Sequence, residues 1–465
     1  MTQTVSGGVG ELRATLDGPV TVPGDPDFDD RRRVWNAEID KHPAVIARCA
    51  SAADVASAIG FARRHGLEIA VRGGAHNTAG TASSDDGMMI DLSIMNDVHV
   101  DPQARRATAG GGALLSDLDA ACQAHGLAVP AGLVSHTGIG GLTLGGGMGW
   151  LTRKFGLSID NLVSAEVVTA DSRILRASAT ENPDLFWAIR GGGGNFGVVT
   201  SFEFQLHEVD PTVQFGLFFW PLDQGTQALR LAAGIVADLP PDVSGVIGAV
   251  NAPPAPFVPE EHHFRPGYVL LLTGFGAAQG HAELADRVRQ SLPPLFEIVT
   301  PMPYVALQQL LDEANAWGIY AYEKGAYVAD LTDDIIELIT EQVPAKGSPM
   351  SAMLLYRLDG AYSQVGEDDT AFSGGRSPRY AAFMIGAAPD SATLAGERNW
   401  VRGFWEALRP HAIASGDGYI NGTDERGEDR VRASYGTAKY ERLARIKADL
   451  DPENIFHVNA NIRPA

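Results

Sequence analysis

A dense run of glycines constrains the fold of this chain more than any other feature. Twelve consecutive residues, 138–149, contain seven glycines, which are Gly138, Gly140, Gly141, Gly145, Gly146, Gly147 and Gly149. A glycine in a helix interior costs about 1 kcal/mol relative to alanine, so this density disfavours a helix and also weakens a strand. Because glycine has no Cβ, its backbone can pack closely against a planar ligand or a pyrophosphate. The run therefore predicts a ligand-binding loop.

A second loop, VRGGAHNTAG at residues 71–80, follows a predicted helix at 54–65 and a short apolar strand. Gly73 and Gly74 let backbone N–H groups approach a phosphate, and Arg72 adds positive charge beside them. His76 stands at the rim, where an imidazole can ligate a cofactor, donate to it or bond to it covalently. Taken alone the pattern also fits a tight turn with a surface histidine, but two such loops together favour a binding site.

Neither loop matches a common nucleotide-binding motif. A Rossmann fingerprint would lie between a first strand and its helix, and a P-loop would continue into Gly-Lys-Ser/Thr. A third glycine cluster, RGGGGNFG at 190–197, leads into a predicted strand. The chain therefore surrounds its ligand with several separate loops.

The remaining pattern divides the chain into three parts. Residues 1–209 alternate strands and helices, which predicts an α+β nucleotide-binding unit. Residues 210–415 predict an antiparallel sheet covered by helices, and residues 416–465 a helix followed by an extended end. The strands and helices expected in the middle part lie at 214–219, 226–239, 268–273, 282–292, 333–342, 353–357, 381–386 and 392–407.

Charge and composition exclude several functional classes. The formal net charge is −21, from 36 Lys and Arg against 57 Asp and Glu, so the chain repels nucleic acid and anionic membranes. No apolar run reaches membrane-spanning length. Cys49 and Cys122 are too few for a metal site and are expected to be buried free thiols. We expect a cytoplasmic monomer or homodimer that acts on a small molecule and holds no metal.

Four motifs in order resemble the FAD-linked oxidases of the p-cresol methylhydroxylase and vanillyl-alcohol oxidase fold, in the bacterial berberine-bridge-enzyme-like branch. They are RGGAH, GGLTLGGGMGWLTRKFGLSIDN, NPDLFWAIRGGGGNFGVVTSFEF and YERLARIKADLDPENIFHVNANIRP. The resemblance implies a two-part FAD-binding domain at 1–209, an antiparallel-sheet substrate domain at 210–415, and a segment at 416–465 that returns to the FAD domain.

The resemblance also implies a set of cofactor-binding residues. His76 matches the histidine that binds the flavin covalently through the 8α-methyl group, and Asn459 and Asn461 match a pair that packs back onto the flavin domain. The complete implied set is Arg72, Gly73, Gly74, Ala75, His76, Asn77, Thr78, Gly132, His136, Thr137, Gly138, Gly141, Gly145, Gly146, Gly149, Asn161, Val199, Asn459 and Asn461.

One departure from the family pattern is informative. Many relatives carry a second covalent link from a cysteine, four residues before the first glycine of the run, and this chain has Val134 there. We therefore expect a single attachment through His76, with either a narrower site or a lower flavin potential than in doubly linked relatives. Thr137 and Leu142 are candidates for shaping the access of O2.

Tyr419 and Asn421, in the sequence GYIN, match a Tyr-x-Asn motif that faces the flavin in bacterial relatives. We expect Tyr419 to act as the base or to orient the substrate, with Asn421 holding the flavin or the tyrosine. The alternative is a sheet tyrosine whose hydroxyl caps a backbone group. Further candidates for the substrate pocket are Tyr322, Tyr356, Glu367 and Asp369, although solvated carboxylates are the more ordinary interpretation of the last two.

The resemblance implies an FAD-dependent oxidase that takes a hydride from an alcohol, sugar or secondary-metabolite C–H bond and passes the electrons to O2, giving H2O2. A dehydrogenase that excludes O2 and a monooxygenase or oxidative cyclase are alternatives within the same fold. A flavoprotein-like binding module without turnover is the alternative from another class. The substrate itself is not specified by the sequence.

Overall fold

The computed structural model describes residues 3–413, 418–424 and 427–465. The strands are β1 (Val20–Thr21), β2 (Val45–Arg48), β3 (Ile69–Arg72), β4 (Met88–Asp91), β5 (Val98–Asp101), β6 (Arg106–Gly110), β7 (Leu127–Ala128), β8 (Leu162–Val168), β9 (Ile174–Ser178), β10 (Val198–Gln205), β11 (His207–Glu208), β12 (Thr212–Pro221), β13 (Val243–Asn251), β14 (Pro266–Gly274), β15 (Phe296–Pro303), β16 (Tyr320–Val328), β17 (Ala352–Leu358) and β18 (Arg379–Ala388). The helices are α1 (Gln3–Thr15), α2 (Phe28–Arg32), α3 (Ala52–His65), α4 (Leu115–Gln123), α5 (Ile139–Gly145), α6 (Thr152–Phe155), α7 (Pro183–Ile189), α8 (Gly225–Ala237), α9 (Ala278–Ser291), α10 (Tyr304–Gln308), α11 (Asp333–Gln342), α12 (Ser391–Leu408), α13 (Glu428–Tyr435) and α14 (Thr437–Leu450).

A four-stranded sheet in the order β1-β2-β4-β3 places the histidine loop. Strands β2, β4 and β3 are parallel, and α3 connects β2 to β3. The side chain of Ser51 accepts from the N–H of Asp54 to cap α3, and Gly66 ends the helix with φ 63°. The loop at 73–80 therefore starts where a parallel strand ends, the edge at which open α/β sheets bind ligands.

A five-stranded antiparallel sheet, β5-β6-β10-β8-β9, carries the other two glycine clusters. The expectation that residues 138–149 would avoid helix is wrong for the first part, because α5 spans Ile139–Gly145. Its glycines are needed for close packing: a Cβ on Gly145 would lie 2.3 Å from the amide nitrogen of Asn421. Contacts of this kind offset the intrinsic cost of glycine in a helix.

The third layer is a seven-stranded antiparallel sheet in the order β15-β12-β14-β13-β17-β18-β16, with α8, α9, α11 and α12 packed on it. A large cluster that includes Trp220, Leu272 and Phe404 forms its core with the helices. The α+β class, with a two-part cofactor unit and a helix-covered antiparallel sheet, is confirmed.

The last segment returns to the first two sheets. Lys447 and Asp451 form a fully buried ion pair of 3.1 Å at the end of α14. The ammonium of Lys447 also donates to the backbone oxygens of Asn195 and Phe456, at 3.0 and 2.7 Å. This pair fixes the extended residues after α14 against the third glycine cluster. Within the described ranges, no helix has both the length and the apolarity that crossing a membrane requires.

Candidate active site

A cavity of about 400 Å³ lies where the three sheets and the last segment meet. One wall comes from the loop at 73–78 and the residues around the start of α5, and a second from the glycines before β10. The strands β16, β17 and β18 face these walls across the cavity. Residues 419–422 and 456–460 complete the lining.

His76 enters this cavity from a strained loop. Ala75 has φ 51°, a left-handed conformation that is uncommon for a residue with a side chain. The ring of Trp35 stacks on the imidazole with 4.7 Å between centroids, and Nε2 of His76 lies 3.2 Å from Nδ1 of His136. Burial, with a smaller contribution from His136, lowers the pKa of His76 to about 3. The imidazole is therefore neutral, the form required for covalent attachment to a ligand.

Glycines make room for a ligand along both of the first two walls. A Cβ on Gly74 would lie 2.2 Å from the backbone nitrogen of Gly138, so the first two glycine loops are in direct backbone contact. A Cβ on Gly141 would meet no atom within 4 Å, and one on Gly194 would meet only the amide of Asn459 at 4.0 Å. Any side chain at these two positions would thus project into the cavity.

Tyr419 is held by two hydrogen-bond donors. The N–H of Gly147 donates to its hydroxyl oxygen at 2.8 Å, and Nδ2 of Asn421 donates to the same oxygen at 3.1 Å. Burial raises the pKa of Tyr419 to about 12, although both donors oppose the shift. The residue is therefore a neutral phenol near pH 7. Because its oxygen already accepts two hydrogen bonds, its own proton is available for a third group.

The wall formed by the third sheet is mainly apolar. Tyr356 packs edge-on against Phe383 with 5.4 Å between centroids, and Phe383 packs edge-on against Tyr419 at 6.4 Å. Ile385 lies on the same wall. Glu323 is the carboxylic acid in this lining, and burial, together with the charge of Asp424, raises its pKa to about 8.

The structure brings most of the predicted site residues together. Those that line the cavity are Gly73, Gly74, Ala75, His76, Asn77, Thr78, Gly132, Thr137, Gly138, Gly141, Val199, Tyr419, Asn421 and Asn459. Outside the lining lie Arg72, His136, Gly145, Gly146, Gly149, Asn161 and Asn461. Some of the second group contact lining residues: His136 contacts His76, and Gly145 packs against Asn421.

Arg72 shows why some predicted positions do not face the cavity. Its guanidinium donates to the backbone oxygens of Arg31 and Arg33, both at 2.6 Å, and so secures the preceding segment rather than presenting charge to a phosphate. Similarly, the amide of Asn161 donates to the backbone oxygens of Phe155 and Leu157 at 2.9 and 2.8 Å. In both cases neighbouring carbonyl groups satisfy the side chain.

Of the candidate substrate-pocket residues, one lines the cavity and three lie outside its lining. Tyr356 lines the cavity, whereas Tyr322 packs against the guanidinium groups of Arg398 and Arg402. The carboxylate of Glu367 accepts from the backbone N–H of Arg376 at 2.8 Å and lies outside the cavity, as does Asp369. Further lining residues that the sequence did not indicate are Trp35, Asn315, Ala321, Glu323, Phe383 and Ile385.

The residues present fit a long, planar cofactor with polar ends. The glycine walls leave space, and the buried Oδ1 of Asn459 has no hydrogen-bond partner in the described part of the chain. A buried acceptor of this kind is costly unless a ligand or water donates to it. FAD has a flat ring system and several N–H and O–H donors. It would lie between the glycine walls, with His76 at one end and the last segment at the other.

Comparisons with known proteins identify the same cofactor. Residues 43–178 match the FAD binding domain family, and residues 418–463 match the family described as berberine and berberine like. An FAD-linked oxidoreductase of Dictyostelium discoideum is 30% identical over 98% of this chain and 97% of its own length. The (R)-6-hydroxynicotine oxidase of Paenarthrobacter nicotinovorans is 31% identical over 97% of each chain.

Solved structures agree with these matches. The crystal structure of 6-hydroxy-D-nicotine oxidase from Arthrobacter nicotinovorans superposes with a TM-score of 0.87 at 28% identity, over 97% of this chain and 98% of the other. A berberine bridge enzyme variant, at 23% identity and a TM-score of 0.85, shares the fold. With the cavity and its glycine walls, these matches show that this chain belongs to the FAD-linked oxidoreductases of the berberine-bridge-enzyme-like family.

Proposed function

We propose that this protein is an oxidase that holds FAD covalently through His76 and passes hydride from a small-molecule C–H bond to the flavin and then electrons to O2. The observation that carries the proposal is the neutral imidazole presented to the cavity from a left-handed alanine, Ala75. Backbone strain of this kind persists where the surrounding structure enforces it, and it is concentrated at functional sites. The hydroxynicotine oxidases among the relatives support the oxidase class.

The attachment is single. Val134 stands where doubly linked relatives have a cysteine, and the two cysteines of this chain, Cys49 and Cys122, are buried away from the cavity. Burial raises the pKa of both thiols, which disfavours the thiolate needed for a covalent link. His76 is therefore the proposed tether, and O2 the proposed acceptor.

When bound, FAD supplies the hydride-accepting ring, and the chain supplies position and protons. The hydroxyl group of Tyr419 donates a hydrogen bond to a polar group of the substrate. Gly147 and Asn421 fix the phenol oxygen and would stabilise negative charge on it. At neutral pH we assign Tyr419 to orientation, because its raised pKa makes deprotonation unfavourable. Phe383 and Ile385 exclude water from the wall on which the substrate lies.

Acid denaturation of purified protein tests the covalent link. The wild type should retain flavin absorbance on the precipitated chain, whereas His76→Ala should release it or fail to bind it. The exposed His125→Ala variant is the matched control and should behave as wild type. Flavin recovered in the supernatant of the wild type would refute the role of His76.

Reoxidation tests the acceptor. The enzyme is photoreduced without oxygen and then mixed with air-saturated buffer, and flavin absorbance and H2O2 are followed. An oxidase recovers its absorbance rapidly with matching H2O2. Slow recovery would instead favour a dehydrogenase that passes its electrons to another acceptor.

A further inference from the structure

Glu323 stands out in a wall that is otherwise almost entirely apolar. It lies on β16 and lines the cavity beside Tyr356, Phe383 and Ile385. Thr78, from the histidine loop, makes a long hydrogen bond of 3.4 Å to one of its carboxyl oxygens. The carboxyl group thus bridges the cofactor side and the substrate side of the cavity.

The positively charged residue nearest to Glu323 in sequence, Lys324, does not face the cavity. Lys324 follows Glu323 on the strand, so its side chain lies on the opposite face of the sheet, where the ammonium is 3.9 Å from the ring centroid of Trp405. Within the described ranges, no Lys or Arg forms an ion pair with Glu323. A buried carboxyl group without a cation is costly, unless a ligand supplies the cation or a proton neutralises it.

We propose that Glu323 is the recognition group for a protonated amine on the substrate. The aromatic rings of Tyr356 and Phe383 stand beside it, and aromatic rings together with a carboxylate form a favourable environment for an organic cation. A sugar would need several polar partners, and this wall offers few. The predicted substrate is therefore a small ring compound bearing an amine. This inference rests on the proposed function, because it assigns the substrate class of that cavity.

The protonation state of Glu323 agrees with this role. Burial, then the charge of Asp424, raises the pKa of Glu323 to about 8, so the group is mostly protonated at pH 7. The phenol of Tyr356 also interacts with Glu323, and its pKa is raised mainly by burial and then by the charge of Glu323. Binding of an ammonium favours the ionised carboxylate, so binding near pH 7 should release a proton.

Calorimetric titration of the flavin-loaded enzyme tests the proposal. The probes are benzylamine and N-methylbenzylamine, with benzyl alcohol as the neutral match. The wild type should bind the amines at least about tenfold more tightly than the alcohol, as expected for a charge-assisted hydrogen bond. Titration at pH 7 in two buffers of different ionisation enthalpy should show proton release on binding of the amines.

Glu323→Gln keeps the shape of the side chain and removes its charge. We expect this variant to lose both the preference for amines over benzyl alcohol and the proton release. Glu337→Gln, at an exposed position on α11, is the control and should match the wild type. If the wild type binds the amines no better than the alcohol or not at all, or if Glu323→Gln keeps the preference, the proposal is wrong.

The outcome is separable from that of the oxidase proposal. Covalently retained flavin and rapid reoxidation without a preference for amines would refute the amine site and leave the oxidase standing. Binding of amines that depends on Glu323, in a protein whose flavin is released by acid, would refute the covalent link and leave the amine site standing.

Discussion

Asp119 offers a quantitative test of the structure. It lies on α4 with 2% of its surface exposed, and its Oδ2 accepts from Nε2 of Gln308 at 2.9 Å. The same nitrogen lies 3.3 Å from the backbone oxygen of Gly132, a cavity residue. Asp119 thus connects α4, α10 and the cavity wall. Burial raises its pKa from 3.8 to about 7, and the bond from Gln308 only partly opposes this.

The pKa shift can be converted into a stability change. A rise of about three units at roughly 1.4 kcal/mol per unit corresponds to ~4 kcal/mol. Because the folded-state pKa is the higher one, this stability is fully present below about pH 4 and is lost as the pH rises to about 7. Asp119→Asn removes the titration but keeps an acceptor for Gln308. Its free energy of unfolding, relative to wild type, should therefore rise by up to ~4 kcal/mol between pH 4 and pH 8.

Urea unfolding followed by tryptophan fluorescence at several pH values measures this difference. The wild type and the variant are compared at each pH, so that effects common to both cancel. Asp223→Asn, which changes an exposed carboxylate, is the control. If the difference between Asp119→Asn and wild type is the same at pH 5 and pH 8, then Asp119 is ionised in the folded protein and the reasoning fails.

Other substitutions test the cavity and its supports. Gly141→Val, which projects two methyl groups into the cavity, should lower the FAD content seen in the ratio of visible to ultraviolet absorbance. Gly234→Val, at an exposed position of α8, should not. Lys447→Met leaves Asp451 buried without its cation and should lower the free energy of unfolding by ~3–5 kcal/mol, part of which Asp451→Asn should restore in the double variant. Tyr419→Phe should retain covalent flavin but lose about tenfold to a hundredfold in kcat/KM, the value of a hydrogen bond to a reacting group. An unchanged kcat/KM would remove Tyr419 from the mechanism.

Local signals predicted elements whose pattern is complete within a short stretch. The predicted helix at 333–342 coincides with α11 (Asp333–Gln342), because its apolar residues recur at helical spacing and Thr332 caps its start. By contrast, β13 and β16 were not predicted. β13 contains Gly245 and Gly248, and β16 has Glu323, Lys324 and Gly325 in its middle. Glycine and charged residues are uncommon in strands, so the local sequence gives no clear strand signal there.

The residues of the site were likewise predicted only where a short stretch of sequence carries a recognisable pattern. The glycine walls and His76 were predicted because they form dense motifs, and Tyr419 because a motif resembles those of known relatives; all of these line the cavity. Trp35 and Glu323 carried no signal, since each is a single residue in an ordinary segment that only the tertiary fold brings to the cavity. The placement of Arg72 and Asn161 was missed for the converse reason: a motif indicates that a residue matters but does not indicate which neighbours satisfy its side chain.

The lining of the cavity also sets an order of events during synthesis. The loop that carries His76 leaves the ribosome early, whereas β16 is made some 240 residues later and residues 456–460 some 380 residues later. A chain still being translated therefore has the proposed attachment point, His76, without the other walls of the cavity. Binding of the flavin is therefore expected to be a late step, limited by the folding of the whole chain rather than by the synthesis of His76.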